Sequence, residues 1–177
     1  MITFSTNITL KDFTTLTLYE QQEVLSWRNN ELVRKQMFTS ELFDLADHLK
    51  FIQSLLETKT KQYYKVERKD KPIGVIDFYE INTESAFYGM YLKPELIGNG
   101  AWGVLLEYIA IDFAFKNLSI DTLQCESLIT NREVLNIHTF FELSIYEQTK
   151  KICYMNISKE EWEANRDRLT TFVRKFL

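Results

Sequence analysis

Glycine, proline, cysteine and histidine are all scarce in this chain of 177 residues, at five, two, two and two. So little glycine and proline leaves no linker-like or low-complexity stretch, and no internal repeat is visible. The expectation is one domain, residues 1–177, with enough chain for a real core. Cys125 and Cys153 lack metal-site spacing and read as reduced, buried thiols in strands. No His, Cys or carboxylate cluster suggests a metal site, and H-E-x-x-H is absent. Basic excess is also missing. The formal net charge of −4 argues against a non-specific nucleic-acid binder, which must cover phosphates. No apolar run approaches the ~20 residues a bilayer requires. The opening "MITFSTNITLKDF" has no basic stretch leading into an apolar one, so no signal peptide is read and the cytoplasm is the default expectation.

What is present is an ordinary globular balance, 45% hydrophobic and 26% charged. "ITLKDF" reads as a strand and "YEQQEVLSWRNN" as a helix with Val24, Leu25 and Trp27 inward. "LADHLKFIQSLLETK" places Leu45, Leu49, Ile52 and Leu56 at helical spacing, with Asp44 as a cap. "YYKVER", "IGVIDFY" and "SAFYGMYL" read as three strands. Residues 101–117 form a helix that is apolar on most of its surface, hence buried. Its two stripes are Trp102, Leu105, Leu106, Ile109 and Phe113, then Ala101, Val104, Tyr108, Ile111 and Phe115. "TLQCESL" is a strand, 133–141 a helix, and "IYEQTKKICYMNI" a hairpin or bent strand pair. Ser158-x-x-Glu161 is a capping box that opens a last helix. The order β, α, α, three strands, α, β, α, ββ, α specifies a mixed α/β sheet.

Gly98-Asn99-Gly100-Ala101-Trp102-Gly103 matches G-x-G-x-x-G, the dinucleotide fingerprint of a nicotinamide oxidoreductase. That motif requires its first glycine directly after a strand, early in a βαβ unit. Here Pro94 intervenes, Gly98 lies well beyond Leu92, and little chain remains for a second half, although Asp121 or Glu126 could serve as the distal acid. The Walker pattern is absent. Two readings remain for this loop: an anion seat at a helix start, where Gly98 and Gly100 admit close approach, or a plain turn before a core helix.

A strand, then Glu95-Leu96-Ile97-Gly98-Asn99-Gly100, then a long helix resembles the acetyl-CoA pyrophosphate site of GNAT N-acetyltransferases. "CESLITNREVLNIHTFFELSIY" resembles the second half of that fold, with Asn131 after the strand, His138 where many relatives have Tyr, and Glu142 in place of a glycine. Within the superfamily, "WRNN", "DHLKFI", "PIGVIDFYEIN" and "YGMYLKPELIGNG" resemble the N-acetyltransferases of pseudaminic acid biosynthesis, over residues 8–157. The resemblance implies a GNAT fold, a central mixed twisted sheet flanked by helices. It implies acetyl-CoA as cosubstrate, no metal, and a UDP-linked 4-amino-4,6-dideoxy sugar as acceptor. It also implies direct attack in a ternary complex, and a possible homodimer. GNAT enzymes acting on protein N-termini share parts of the pattern, and a non-catalytic CoA-binding module is the third reading.

Carried over residue by residue, the backbone of Met90, Tyr91 and Leu92 would pair with pantetheine as an added strand. Gly98, Asn99, Gly100, Ala101 and Trp102 would take the pyrophosphate. Asn131 would bond the pantetheine arm or cap the next helix, and Phe141 would complete the cofactor contacts. His138 would sit near the sulfur, mostly neutral if near its reference pKa of about 6.5, or be a structural histidine. Glu126 and Asp77 are the candidate bases, since a carboxylate in a buried strand implies a raised pKa, a buried hydrogen bond or an ion pair. Arg28, Asn29 and His48 are candidate acceptor contacts, against surface or structural roles. Tyr79 and Tyr88 would line the sugar pocket, or be core.

Overall fold

The computed structural model describes residues 2–174. The chain opens with β1 (Ile2–Ser5) and β2 (Ile8–Asp12). Next come α1 (Leu18–Asn29), the single turn α2 (Glu31–Arg34) and α3 (Leu45–Ser54). Three strands follow: β3 (Gln62–Arg68), β4 (Lys71–Tyr79) and β5 (Ser85–Leu92). Then come α4 (Gly100–Asn117), β6 (Thr122–Leu128) and α5 (Arg132–Phe140). The hairpin β7 (Ser144–Gln148) and β8 (Ile152–Ser158) leads into α6 (Lys159–Val173). The caps follow from sequence. Asp44 accepts from the Asp47 N–H, and Ser158 and Glu161 form the capping box. β1 and α2 were not expected; the first is a short, largely exposed edge strand and the second a single turn, so neither has a full hydrophobic period.

The strands form one mixed sheet in the order β1-β2-β3-β4-β5-β6-β8-β7. Every neighbouring pair is antiparallel except β5–β6, which α4 connects. The sheet divides the core. On one face α4, α5 and α6 bury Ile76, Phe78, Tyr88, Leu123 and Cys125. On the other, α1 and α3 cover Val75, with Phe13, Val24, Trp27 and Ile52. Cys125 and Cys153 are buried and free, in neighbouring strands. The apolar stripes of α4 are interrupted by two fully buried acids. Asp112 pairs with Arg166 at 2.6 Å and Lys116 at 2.7 Å; Glu107 belongs to the site below.

Glu142 stands where the resemblance implies glycine, and its backbone gives a physical reason for one. It lies just past α5 with φ of 66°, the left-handed region. Its N–H donates to Thr139 O and that of Leu143 to His138 O, a Schellman ending that favours glycine. The carboxylate is clasped by Arg168 and Asn165 at the surface. Glu142→Gly is expected to raise unfolding stability by up to about 1 kcal/mol, because relief of the left-handed strain outweighs a weak exposed pair. Thermal denaturation checks this, and a lower melting temperature would show that the clasp dominates.

Candidate active site

β5 and β6 are paired only from Ser85–Thr122 to Phe87–Gln124, although both strands run on, to Leu92 and Leu128. Past that point the sheet is split. A cleft of about 920 Å³ passes through the split, from Arg28 and His48 at one end to Ile97 and Gly98 at the other. Lys93 N–H donates to Ile73 O, and the β4–β5 register pairs Val75 with Tyr91. By strand alternation the Tyr91 amide therefore bonds to β4, while the amides of Met90 and Leu92 face the split. This corrects the expectation for Tyr91, whose backbone is already used.

At one mouth the chain leaves β5 through a 3-10 turn, Pro94–Leu96, before Gly98. The offset, together with a largely antiparallel sheet, excludes the doubly wound dinucleotide fold. Gly98 has φ of +84°, and a Cβ on Gly98 or Gly100 would meet no protein atom within 4 Å. Their N–H groups have no partner among the described residues. Protein packing therefore does not require glycine at position 100, whereas close approach of an anion does. Ala101 and Trp102 depart from expectation: their amides donate to Asn99 Oδ1 and Asn99 O. Asn99 thus caps α4. Gly103 is a packing residue, since a Cβ there would come 2.8 Å from Ile137 Cδ1. Glu95 is exposed, 3.8 Å from Lys93.

His138 lies at the heart of the α4 face, 3% exposed, with both ring nitrogens occupied. Nδ1 is 2.7 Å from Glu107 Oε1, and Nε2 is 3.1 Å from Ser127 Oγ. Tyr88 Oη donates to the same Glu107 oxygen. Burial opposes charge on His138, but the Glu107 carboxylate and the Cys125 sulfur hold its pKa well above the usual value. His138 lines the cleft, but its ring nitrogens are held between an acid and a hydroxyl, and the raised pKa favours the charged form rather than the neutral one expected. Tyr88 lines the cleft, with its hydroxyl committed to Glu107. Neither Glu107 nor Ser127 was singled out from sequence. Glu107 had a signal, since an acid inside a helix apolar all round requires a buried partner. Ser127 had none.

Asn131 caps α5 through Oδ1, which accepts from Val134 N–H, and it lines the cleft. Its side-chain NH2 has no partner among the described residues. Phe141 does not line the cleft. It is fully buried against Phe140 and Trp162, a core residue because it closes the end of α5 over α6.

On the opposite face of the sheet, Asp77, Tyr79 and Glu126 line the cleft together. Tyr79 Oη donates to Glu126 Oε1 at 3.1 Å, and its ring stacks on Phe87. Asp77 lies over Gly89, where a Cβ would come 3.0 Å from Oδ1. Its carboxylate has no hydrogen bond from the described residues, and burial pushes its pKa up to about 7.

At the far end, Arg28 donates to Thr39 O and lies over the Phe43 ring, leaving a buried Nη1 without a partner. His48 Nε2 is also buried and unpartnered, and burial holds its pKa down, so it is neutral. Asn29 is not free for a ligand. Its amide exchanges two hydrogen bonds with the Phe43 backbone and pins the loop after α2.

A mixed sheet flanked by helices, with a glycine loop leading into a long helix, is what the GNAT resemblance implies, and comparison with known proteins decides it. The Acetyltransferase (GNAT) domain family matches residues 7–140. The chain belongs to the GNAT acetyltransferases. This acetyltransferase is 33% identical over 157 residues to Acetyltransferase PseH of Campylobacter jejuni strain 81-176, covering 89% of this chain and 98% of that protein. The crystal structure of C. jejuni PseH in complex with acetyl coenzyme A superposes with a TM-score of 0.72 at 31% identity, over 86% of this chain and 99% of the other. A nucleotide-linked sugar GNAT, FdhC, shares the fold at a TM-score of 0.78 and 16% identity, over 94% of this chain and 95% of the other. Acetyl-CoA is the acetyltransferase's cosubstrate, and the oxidoreductase reading of the glycine string falls. Unfilled space over Gly98 and Gly100, their free amides and the open Met90–Leu92 edge fit that cosubstrate. Among the described residues no group of side chains could hold a metal ion, and no helix is long and apolar enough to cross a membrane.

Proposed function

We propose that this enzyme acetylates the 4-amino group of a UDP-linked amino-dideoxy sugar in pseudaminic-acid-type surface glycan biosynthesis, by direct attack in a ternary complex. The observation that carries the acceptor assignment is the pair of buried, unpartnered nitrogens, Arg28 Nη1 and His48 Nε2, in two residues of the cleft end away from the glycine loop. A guanidinium without its full complement of acceptors suits a diphosphate. Phe51 and Tyr63 at this end, packed edge-to-face, supply an aromatic wall for a base or sugar ring.

The residues divide the work by sheet face. Met90 and Leu92 amides and the Gly98–Gly100 loop hold acetyl-CoA, which supplies an activated acetyl group when bound. The Asn131 amide nitrogen steadies its arm. Asp77, with a pKa near pH 7 and no competing hydrogen bond, takes the proton of the attacking amine, and Glu126 with Tyr79 orients the sugar. We place the reaction in the cytoplasm, and a homodimer belongs to the same reading because family members commonly self-associate.

The test is thiol release from acetyl-CoA across UDP- and dTDP-linked amino sugars, a polyamine and a peptide N-terminus. Release is expected with a UDP-4-amino sugar, and none with any nucleotide sugar would sink the reading. Arg28→Met is expected to raise the KM for the nucleotide sugar about 10- to 100-fold, the worth of a hydrogen bond to a charged group. The KM for acetyl-CoA should be unchanged.

A further inference from the structure

The split in the sheet separates two sets of titratable groups. Asp77, Tyr79 and Glu126 lie on the α1/α3 face. Ser127, His138, Glu107 and Tyr88 lie on the α4 face, joined by hydrogen bonds. Within the second set Ser127, Tyr88 and His138 all line the cleft, but both ring nitrogens of His138 are bonded, Nδ1 to Glu107 and Nε2 to Ser127 Oγ. A chain of Ser127 Oγ, His138 and Glu107 therefore reaches from the cleft wall into the core. Its order is that of a serine–histidine–acid triad, but the buried Glu107 carboxylate 2.7 Å from Nδ1 favours the charged histidine. A histidine that already carries its second proton cannot take one from serine; it can only give one.

We propose that Ser127 is the group that protonates the departing thiolate of CoA, refilled by His138, and that His138 acts only through it. The inference rests on the acetyltransferase activity of this cleft, and not on which amine is acetylated. The new C–N bond forms as the C–S bond breaks, with the C–S electron pair passing to sulfur. Sulfur takes the Ser127 Oγ proton, and Ser127 takes the proton on His138 Nε2. His138 is left neutral, its Nδ1–H still on Glu107. The amine proton goes to the carboxylate on the opposite face. Solvent then removes that proton and recharges His138, so the cycle closes without net gain of protons.

The groups that face His138 favour this direction. Glu107 from α4 holds Nδ1–H, Tyr88 from β5 donates to the same carboxylate, and Cys125 and Ser127 come from β6. The Cys153 thiol of β8 feels the His138 charge, but burial pushes its own pKa up and keeps it neutral. Among these groups Glu107 is the lone carboxylate, and its Oε2 has no partner, so its attraction is spent on His138. These groups favour the charged ring over the neutral one, and its Nε2 faces Ser127 Oγ 3.1 Å away.

The experiment compares Ser127→Ala, Ser127→Thr and the parent enzyme with a commercial acceptor panel that includes polyamines, so that a wrong sugar does not silence the assay. Ser127→Ala is expected to lower kcat 10- to 100-fold with the acetyl-CoA KM within about threefold. Ser127→Thr, which keeps a hydroxyl, should recover most of the rate. A purely structural serine would instead change melting temperature and KM together. Independently of turnover, 15N NMR of the His138 ring in ligand-free enzyme should show it titrating well above the pKa of a free histidine. In Ser127→Ala the Nε2 proton should exchange faster. A His138 that titrates near 6.5, an unchanged kcat in Ser127→Ala, or an acetyl group found on Ser127 by mass spectrometry would each overturn the relay.

Discussion

Lys65→Met is expected to lower the free energy of unfolding by about 3 kcal/mol, the effect of removing one partner from a buried ion cluster. Lys65 is 3% exposed on β3. Its Nζ lies 2.7 Å from Glu23, 3.3 Å from Glu67 and 3.4 Å from Glu20, and it also sits over the Trp27 ring. Lys11 reaches Glu20 and Glu67 but not Glu23, so methionine would leave Glu23 without a cation among the described residues. The cluster ties α1 to the sheet, and α1 carries Arg28 to the cleft. Urea denaturation followed by tryptophan fluorescence measures the effect, and a loss below about 1 kcal/mol would show that the carboxylates relax into solvent. The cluster also has a pH signature. Burial raises the Glu20 pKa, but Lys11, Thr17 and Lys65 outweigh it and bring it to about 2. A depressed carboxylate stabilises the fold above its unfolded value near 4.5, and that contribution is lost as pH falls toward 2. Lys65→Met should shrink the acid-dependent part of stability along with the total.

Asp77→Asn is expected to reduce kcat by about 10²- to 10⁴-fold, the usual worth of a positioned general base. The same substitution should make the protein more stable at pH 8. Asp77 has a folded-state pKa of about 7 against 3.8 for the free group, because burial disfavours its charge. A raised carboxylate contributes its stability below pH 4. That contribution erodes as pH rises from 4 to 7, when the unfolded chain has already released the proton. Asparagine does not titrate, so the gain at pH 8 should be on the order of 2–4 kcal/mol, and near zero at pH 4. In the parent enzyme kcat/KM should rise with pH through about 7 and level off, and in the variant that rise should vanish. Steady-state kinetics from pH 5.5 to 9 with parallel denaturation at pH 4 and 8 reads both effects. Full activity in Asp77→Asn would remove Asp77 from the chemistry and leave Glu126 as the base.

Much of the fold was legible because its signals are local. Strand segments such as "SAFYGMYL" and "TLQCESL" coincide with β5 and β6, and the capping residues Asp44 and Ser158 mark where α3 and α6 begin. Hydrophobic period, cap chemistry and turn residues depend on neighbours a few positions away, so a linear string carries them. The glycines of the 98–100 loop were legible for the same reason. What the string also determined is the inventory: which acids, histidines and arginines exist, and that Asp77 and Glu126 fall within strand patterns where a carboxylate requires a reason.

Their partners could not be read that way. Tyr79 meets Glu126 across 47 residues, and Glu107 meets His138 across 31. Asn29 is withdrawn from the acceptor site by a backbone 14 residues on. Strand pairing turns the Tyr91 amide to β4 and leaves Met90 and Leu92 facing the split, a choice set by register rather than residue type. The charge on His138 is the sharpest case. A free histidine is mostly neutral at pH 7, and the dry, close Glu107 carboxylate favours its charged form, because an electrostatic interaction depends on distance and dielectric, which folding creates.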